Sequence, residues 1–367
     1  MKVFKYIVLL IMLLKLDTFS LVYFGATLGS LLSAAFFGCL LVYFFLAEKQ
    51  KPFWPLVLLG ICYFFISAFN FTGVDQEFIT DSIKFFLFSL LIASLVPNTT
   101  RLEFAIILLI GGLSILVNAI SFPDQYGRYS GFYINPNTAG SVTLIGYVFA
   151  FSMKNKKLKL LFQFLLILCG IMTLSRFFIL VLVLITLLSM VYSRYNAIGA
   201  AIGALVLVVV ITSGDFKLNT SRFNALQSIF SDDVDTQTIS EETRDETWAL
   251  YKEPLMNGLL VGNGYKSFQG HEYDTVGVSV GVHNSYLMTL GEAGIIPFLI
   301  LVSIYITLLI KSAKRFFEKP EYFYLAVVLF GYLMVSHKYY DNYIILFFTI
   351  WLYKQLEKQE TPKPLTT

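Results

Sequence analysis

The chain has 367 residues, 57% hydrophobic and 14% charged, with a formal net charge of +3. Its mean hydropathy is +0.71. A soluble domain carries roughly 25% charged residues and cannot hide this much apolar surface, while disorder, collagen and a nucleic-acid footprint fail on the same numbers.

What remains is an all-α polytopic membrane protein. A helical span needs about 20 apolar residues, and continuous apolar runs place about twelve spans. The first, at 3–16, follows Lys2 and Lys5 as a signal peptide would. No small-residue cleavage site comes after it, so it reads as a span. Lys15 and Asp17 separate it from the second, at 20–46. The next seven lie at 53–71, 78–96, 102–120, 136–153, 160–174, 177–193 and 196–213. A long polar stretch intervenes before 285–310, 322–336 and 342–354. The short first, seventh and twelfth spans suit tilted or re-entrant segments. Cys39, Cys62 and Cys169 all lie inside apolar runs, which suits packing residues rather than a disulfide framework or a metal site.

The clusters Lys154–Lys159 and Lys311–Lys319 fall on the same side as the N-terminus in this layout. By the positive-inside rule that side is cytoplasmic, and so are both termini. The chain therefore divides into residues 1–213 with spans one to nine, an extracytoplasmic loop at 214–284, residues 285–354 with the last three spans, and a cytoplasmic tail at 355–367. The loop has 71 residues, 11 acidic and five basic, a net charge of −6. A second outer segment runs from Ser121 to Asn137. Pores and carriers seldom need so large a loop, which points to external chemistry or recognition.

Within the loop, Ser240 with Glu241 and Glu242 signals a helix start, and Pro254 signals its end. Arg244, Trp248 and Tyr251 share one face of that helix. Such a face can grip a phosphorylated glycan, or it can pack onto the membrane domain. Asp233 and Asp235 form a D-x-D pair. The metal–nucleotide role of such pairs needs an α/β domain, absent here, so they read as solvated acids. Gly258, Gly262 and Gly264 lack the Gly-Lys-Ser/Thr of a phosphate loop and read as a turn returning the chain to the membrane.

The chain has three histidines. His271 is in the loop and His337 lies near a short outer turn. His283 sits where the loop meets the tenth span, as a half-wet structural residue or a general base working near neutral pH. Arg128 lies in the smaller outer segment. Arg176 and Glu292 lie at or near membrane depth, where an ionised group needs a partner or must snorkel. The planar fork of arginine matches phosphate oxygens.

Together these motifs resemble a known family. His283-Asn284-Ser285-Tyr286-Leu287 followed by Gly291-Glu292-Ala293-Gly294 is similar to the signature of bacterial O-antigen ligases and of O-antigen or exopolysaccharide repeat-unit polymerases. Arg128–Gly131 with Asn135-Pro136-Asn137, Thr173–Arg176, and Arg244–Trp248 leading to Leu259–Gly264 resemble its other stretches in order and spacing. The resemblance covers Arg128 to Gly294. In the ligase pattern a second glycine follows Gly294; here Pro297 stands in its place, and Leu301 replaces a later one, which favours polymerase over ligase.

The resemblance implies a membrane glycosyltransferase C-like fold and transfer of glycan from undecaprenyl pyrophosphate to a sugar hydroxyl, with no metal or other cofactor. It implies that Arg128, Arg176 and Arg244 hold the pyrophosphate and that His283 takes the acceptor proton. Asn284, Tyr286, Trp248 and Tyr251 would contact acceptor or glycan. Expected partners are the lipid-linked oligosaccharide, membrane lipids, a chain-length regulator and a flippase, and no nucleic acid. The acidic loop would repel a phosphate-rich lipopolysaccharide core, again favouring polymerase. A transporter of the same lipid is the reading from another class. It would show inverted repeats and several midplane charges, whereas no repeat is visible and span charges are few.

Overall fold

The computed structural model describes residues 1–123, 127–196, 244–270 and 280–358, with positions 198, 199, 201, 203, 205, 276 and 278. The D-x-D acids, His271, the helix start at Ser240 and most of the ninth expected span lie outside the described residues. Among those described, the chain is mostly helical and forms no strand; a single antiparallel bridge joins Gly270 and Val280. The helices are α1 (Lys2–Leu13), α2 (Leu16–Phe24), α3 (Ala26–Leu46), α4 (Trp54–Ser67), α5 (Asp75–Leu91), α6 (Arg101–Ser121), α7 (Pro136–Ala150), α8 (Lys156–Met172) and α9 (Arg176–Tyr192). Within the expected loop come α10 (Arg244–Leu250) and α11 (Lys252–Asn257), and after it α12 (Ser285–Ala293), α13 (Ile295–Ala313), α14 (Pro320–Tyr332) and α15 (Tyr343–Lys358).

Among the described residues, three helices are long and apolar enough to cross a membrane: α3, α6 and α13. The pair α1 and α2, bent by 60°, would make a fourth if it is one broken span, and α4 and α9 are shorter apolar helices. In hydrocarbon only a structure that satisfies its own backbone is stable, and a helix does so. Apolar side chains also stay outward: Phe45 is 68% exposed, Leu180 67% and Val191 69%. Water penalises such a surface, whereas lipid does not.

Several expected boundaries are corrected. The second expected span, 20–46, is divided at Gly25, whose φ of 92° ends α2. The break expected after the first span stands, with Lys15 at φ 49° between α1 and α2. The tenth expected span, 285–310, breaks at Gly294, where φ is 79°. Apolarity alone does not register the breaks at Gly25 and Gly294, because a left-handed glycine inside an apolar run barely changes hydropathy. The loop helix is also corrected. Pro254 does not stop it; α10 ends at Leu250, and Pro254 lies in the first turn of α11, where its missing N–H costs nothing.

Helix starts follow their caps. Thr100 and Glu103 form a reciprocal capping box at α6. Asn135, Asn155, Ser175 and Asn284 each accept first-turn N–H groups of α7, α8, α9 and α12. Such caps contribute about 1 kcal/mol each.

The chain falls into two compact units. The first comprises Met1–Tyr6, Phe37–Thr99 and Trp248–Thr367, and the second comprises Ile7–Phe36 and Thr100–Thr247. In the first unit α4 packs on α5, α12 and α13, and α13 packs on α12, α14 and α15. In the second unit α6, α7 and α8 pack on one another, and α9 packs on α7 and α8. From Thr138 to Ala150 every residue of α7 is buried, which makes it the centre of that unit. Without a hydrophobic force between helices in lipid, close packing must hold such a bundle.

Candidate functional site

In the second unit, three of the noted stretches converge. Arg128 is buried, and its Nε donates to the Thr173 carbonyl at 3.2 Å. The Tyr129 N–H donates to the Met172 carbonyl at 3.2 Å, so the segment is pinned to the C-terminal end of α8 at two adjacent points. Thr173 Oγ1 accepts the Ser175 N–H at 3.2 Å. Ser175 Oγ donates to Asn137 Oδ1 at 3.1 Å and accepts the Phe178 N–H at 3.4 Å, which starts α9. Arg176 is then the first residue of α9 and is exposed. The Arg128 segment, Asn135–Asn137 and Thr173–Arg176 thus form one neighbourhood carrying two guanidinium groups. Arg244 begins α10, and its side chain lies outside the described residues.

In the first unit, the end of the loop is clamped onto α12. The Asn263 N–H donates to the Gly291 carbonyl at 2.7 Å, and the Gly264 N–H to the Glu292 carbonyl at 3.1 Å. Asn263 Nδ2 reaches the carbonyls of Pro254 and Gly291 at 3.0 and 2.9 Å. Two glycines make this contact possible. A Cβ on Gly262 (φ 73°) would lie 2.2 Å from the Glu292 carbonyl oxygen, and one on Gly294 (φ 79°) 2.2 Å from that of Leu260. The turn expected at Gly262 and Gly264 therefore exists, and its role is backbone-to-backbone packing.

Glu292 is fully buried and does not snorkel. Its carboxylate accepts the Tyr63 hydroxyl, the Phe268 N–H at 3.2 Å and Gln269 Nε2 at 3.5 Å. It serves as an internal anchor for residues 268–269. Tyr251 and Trp248 resolve towards packing. The Tyr251 hydroxyl donates to the Val280 carbonyl at 2.6 Å and its ring stacks on Phe268 at 4.6 Å, while Trp248 Nε1 donates to the Val282 carbonyl at 3.1 Å. Both polar atoms are spent on the strand-like return 280–282.

That return delivers His283. The residue has φ 48°, a left-handed conformation that costs a non-glycine residue about 1 kcal/mol. Ile134, Leu174 and Lys266 share the feature, each inside or beside one of the stretches noted above. Backbone strain of this kind gathers where surrounding structure holds a site in place. Asn284 caps α12, its Oδ1 accepting the N–H groups of Tyr286 and Leu287 at 3.0 and 3.1 Å. Tyr286 donates its hydroxyl to the Phe330 carbonyl at 3.2 Å. Both side chains thus spend these polar atoms on holding α12 in place.

His283 lines a cavity of about 490 Å³ together with Tyr63, Lys266, His337, Tyr340 and Asp341 among others. Its Nδ1 lies 3.0 Å from His337 Nδ1, with the rings tilted by 57°. His337 comes from the turn between α14 and α15, stapled to the start of α12. The Ser285 N–H donates to the Leu333 carbonyl at 2.7 Å, and Ser285 Oγ to the Ser336 carbonyl at 2.6 Å. Burial, aided by the neighbouring His283 and Lys338, pushes His337 down to about 3, so it is neutral at physiological pH. Across the cavity, Lys266 pairs with Glu77 and lies 3.1 Å from Asp81. Burial alone would lower its pKa, but these carboxylates raise it, so it stays cationic. Burial also raises the Tyr265 hydroxyl, as does Asp81, which accepts its proton at 2.7 Å.

Sequence reasoning selected His283 and missed His337, Lys266 and Asp81 as its companions. His337 and His283 are 54 positions apart, and the staple through Ser285 brings their segments together. No known family pattern matches this chain, and no curated protein matches it.

Proposed function

We propose that the chain is an integral membrane glycosyltransferase that polymerises lipid-linked repeat units of a surface polysaccharide. It moves glycan from undecaprenyl pyrophosphate to a sugar hydroxyl on another lipid-linked repeat. In this reading the protein has about twelve spans in the bacterial inner membrane, with both termini cytoplasmic and residues 214–284 on the outer side. His283 Nε2 accepts the proton of the acceptor hydroxyl, whose oxygen attacks the anomeric carbon as the bond to pyrophosphate breaks. Direct displacement inverts that centre. Arg128, Arg176 and Arg244 take up the negative charge that develops on the leaving pyrophosphate. The cavity aligns the acceptor.

The single observation that carries the reading is the placement of His283, an imidazole held in a strained backbone at the wall of a cavity large enough for a saccharide. Convergence of the Arg128 and Arg176 stretches adds support, since a polyprenyl pyrophosphate needs matched cations.

The test is complementation. In a strain lacking the chain, lipid-linked single repeats accumulate and surface polymer disappears; wild type restores it. His283→Ala, at equal membrane abundance, lowers polymer formation roughly 10²- to 10⁴-fold, the usual cost of a lost general base. Full activity of that variant sinks the reading. Accumulation of long lipid-linked chains in the deletion strain instead assigns the chain as a ligase, transferring finished polymer to a lipid A-core or other acceptor.

A further inference from the structure

We infer that His337 is the positioning residue for His283: it accepts the His283 Nδ1–H and so leaves Nε2 as the unprotonated, proton-accepting nitrogen. This deepens the proposed function and rests on His283 being its base.

The argument begins with the contact itself. Two Nδ1 atoms 3.0 Å apart share one hydrogen, because two lone pairs or two N–H groups would repel at that distance. The neutral pair therefore has two arrangements. If His283 donates, its Nε2 carries the lone pair and can take a proton. If His337 donates, His283 holds its own hydrogen on Nε2 and cannot act there as a base. A nitrogen's partner fixes the tautomer of the opposite nitrogen. The same contact strengthens as the reaction proceeds, since a protonated His283 makes a charge-assisted bond to a neutral acceptor.

His337 is suited to the accepting role. It resists protonation at any pH the cell meets, so its ring keeps one nitrogen that carries a lone pair. Its placement is also over-determined. The Ser285 N–H and Oγ tie Leu333 and Ser336 to the residues after His283, and the Lys338 N–H donates to Ser336 Oγ at 3.2 Å. Gly281 lies against the ring, and a Cβ there would come 2.7 Å from His337 Cε1. The other charged groups lining the cavity are Asp81, Lys266, Lys338 and Asp341, with the hydroxyls of Tyr63, Tyr265, Tyr339, Tyr340 and Tyr343 as its further titratable groups. They are of both signs, so removing His337 changes the tautomer without stripping the cavity of charge.

The chain's three histidines make the tautomer directly readable. Full-length protein with ¹⁵N-labelled histidine, in lipid nanodiscs at neutral pH, gives three imidazole spin systems, assigned by the substitutions themselves. The expected spectrum shows His283 protonated at Nδ1, with a coupling across the hydrogen bond to His337 Nδ1. His337→Phe, of similar bulk but with no acceptor, shifts His283 towards the Nε2–H form; His337→Gln, which keeps an acceptor, retains Nδ1–H. A wild-type His283 that is mainly Nε2–H overturns the inference. Activity is then measured on lipid-linked saccharide extracted from the deletion strain. His337→Phe loses about 100-fold in kcat, the scale of a misplaced catalytic group, with KM unchanged. The acidic limb of its pH profile moves down by roughly one unit, and His337→Gln recovers most of the rate. An unmoved profile and an unchanged kcat also overturn the inference. If His283→Ala is fully active, the proposed function fails instead, whatever the spectrum shows.

Discussion

The two units hold their candidate residues by different means. Around His283, in the first unit, the chain is clamped backbone to backbone: Asn263 and Gly264 onto Gly291 and Glu292, and Ser285 onto Leu333. Buried side chains then lock the return, Glu292 to Phe268 and Tyr251 to Val280. Around Arg128 and Arg176, in the second unit, placement depends on helix ends: a carbonyl of Thr173, the cap Ser175 and the cap Asn135. The contrast follows from what each group would do. A base must meet a proton within a few tenths of an ångström, whereas a cation acts on phosphate through an interaction energy that falls only as the inverse of distance. A dense clamp suits the first need, and capped helix ends satisfy the second.

The sharpest way to break this comparison is at the clamp. Gly294→Ala adds a Cβ 2.2 Å from the Leu260 carbonyl oxygen at a left-handed backbone, while Gly38→Ala meets nothing within 4 Å. The first is expected to cost roughly 3 kcal/mol or more, from strain plus a displaced backbone. The second should leave stability almost unchanged. Thermal unfolding in detergent, followed by size exclusion, separates them; equal midpoints would show that the clamp is not needed.

Next in size is the arginine pair. Arg176→Lys keeps an exposed charge, and turnover should fall less than tenfold. Arg128→Lys loses the planar fork that reaches Thr173 and still serves an anion, and a loss of about 100-fold is expected. Equal losses would erase the distinction between an anchored and a presented guanidinium.

A smaller effect comes from pH. An unfolded His337 takes up a proton below its ordinary 6.5, whereas the folded one does so only near 3. Between those values the unfolded state binds more protons, so stability falls as pH falls through that window. The slope from this group is at most about 1.4 kcal/mol per pH unit. Unfolding midpoints taken from pH 7.5 to 5 should decline less steeply for His337→Gln than for wild type. Parallel declines would mean that the imidazole is hydrated in the folded protein.

The smallest expected change is at a cap in the second unit. Thr100→Ala removes half of the reciprocal box with Glu103 and should cost about 1 kcal/mol without altering turnover. A coincident loss of activity would mean that α6 does more than support α7.

Much of the site was legible from residue type. His283 stands out as an imidazole at the end of a polar loop, and Arg128 and Arg176 as costly cations beside apolar runs. The turn at Gly262–Gly264 was legible because glycine is the residue that tolerates such backbone. His337 was not legible: nothing near it in sequence distinguishes it from a surface histidine at a helix turn. Trp248 and Tyr251 stood out as aromatics, yet nothing near them gave a sign that Val280 and Val282 would claim their polar atoms.

Sequence alone determined the helical class and the presence of membrane-length apolar helices, because composition and run length respond to the surrounding solvent one residue at a time. It also placed most starts of the described helices close to where they lie, since apolar runs begin near them. The tertiary structure alone decided where Gly25 and Gly294 break apolar runs, that Glu292 is an internal anchor, and that His283 meets His337. Each depends on atoms brought together from distant positions, and a pattern read along one chain has no term for them.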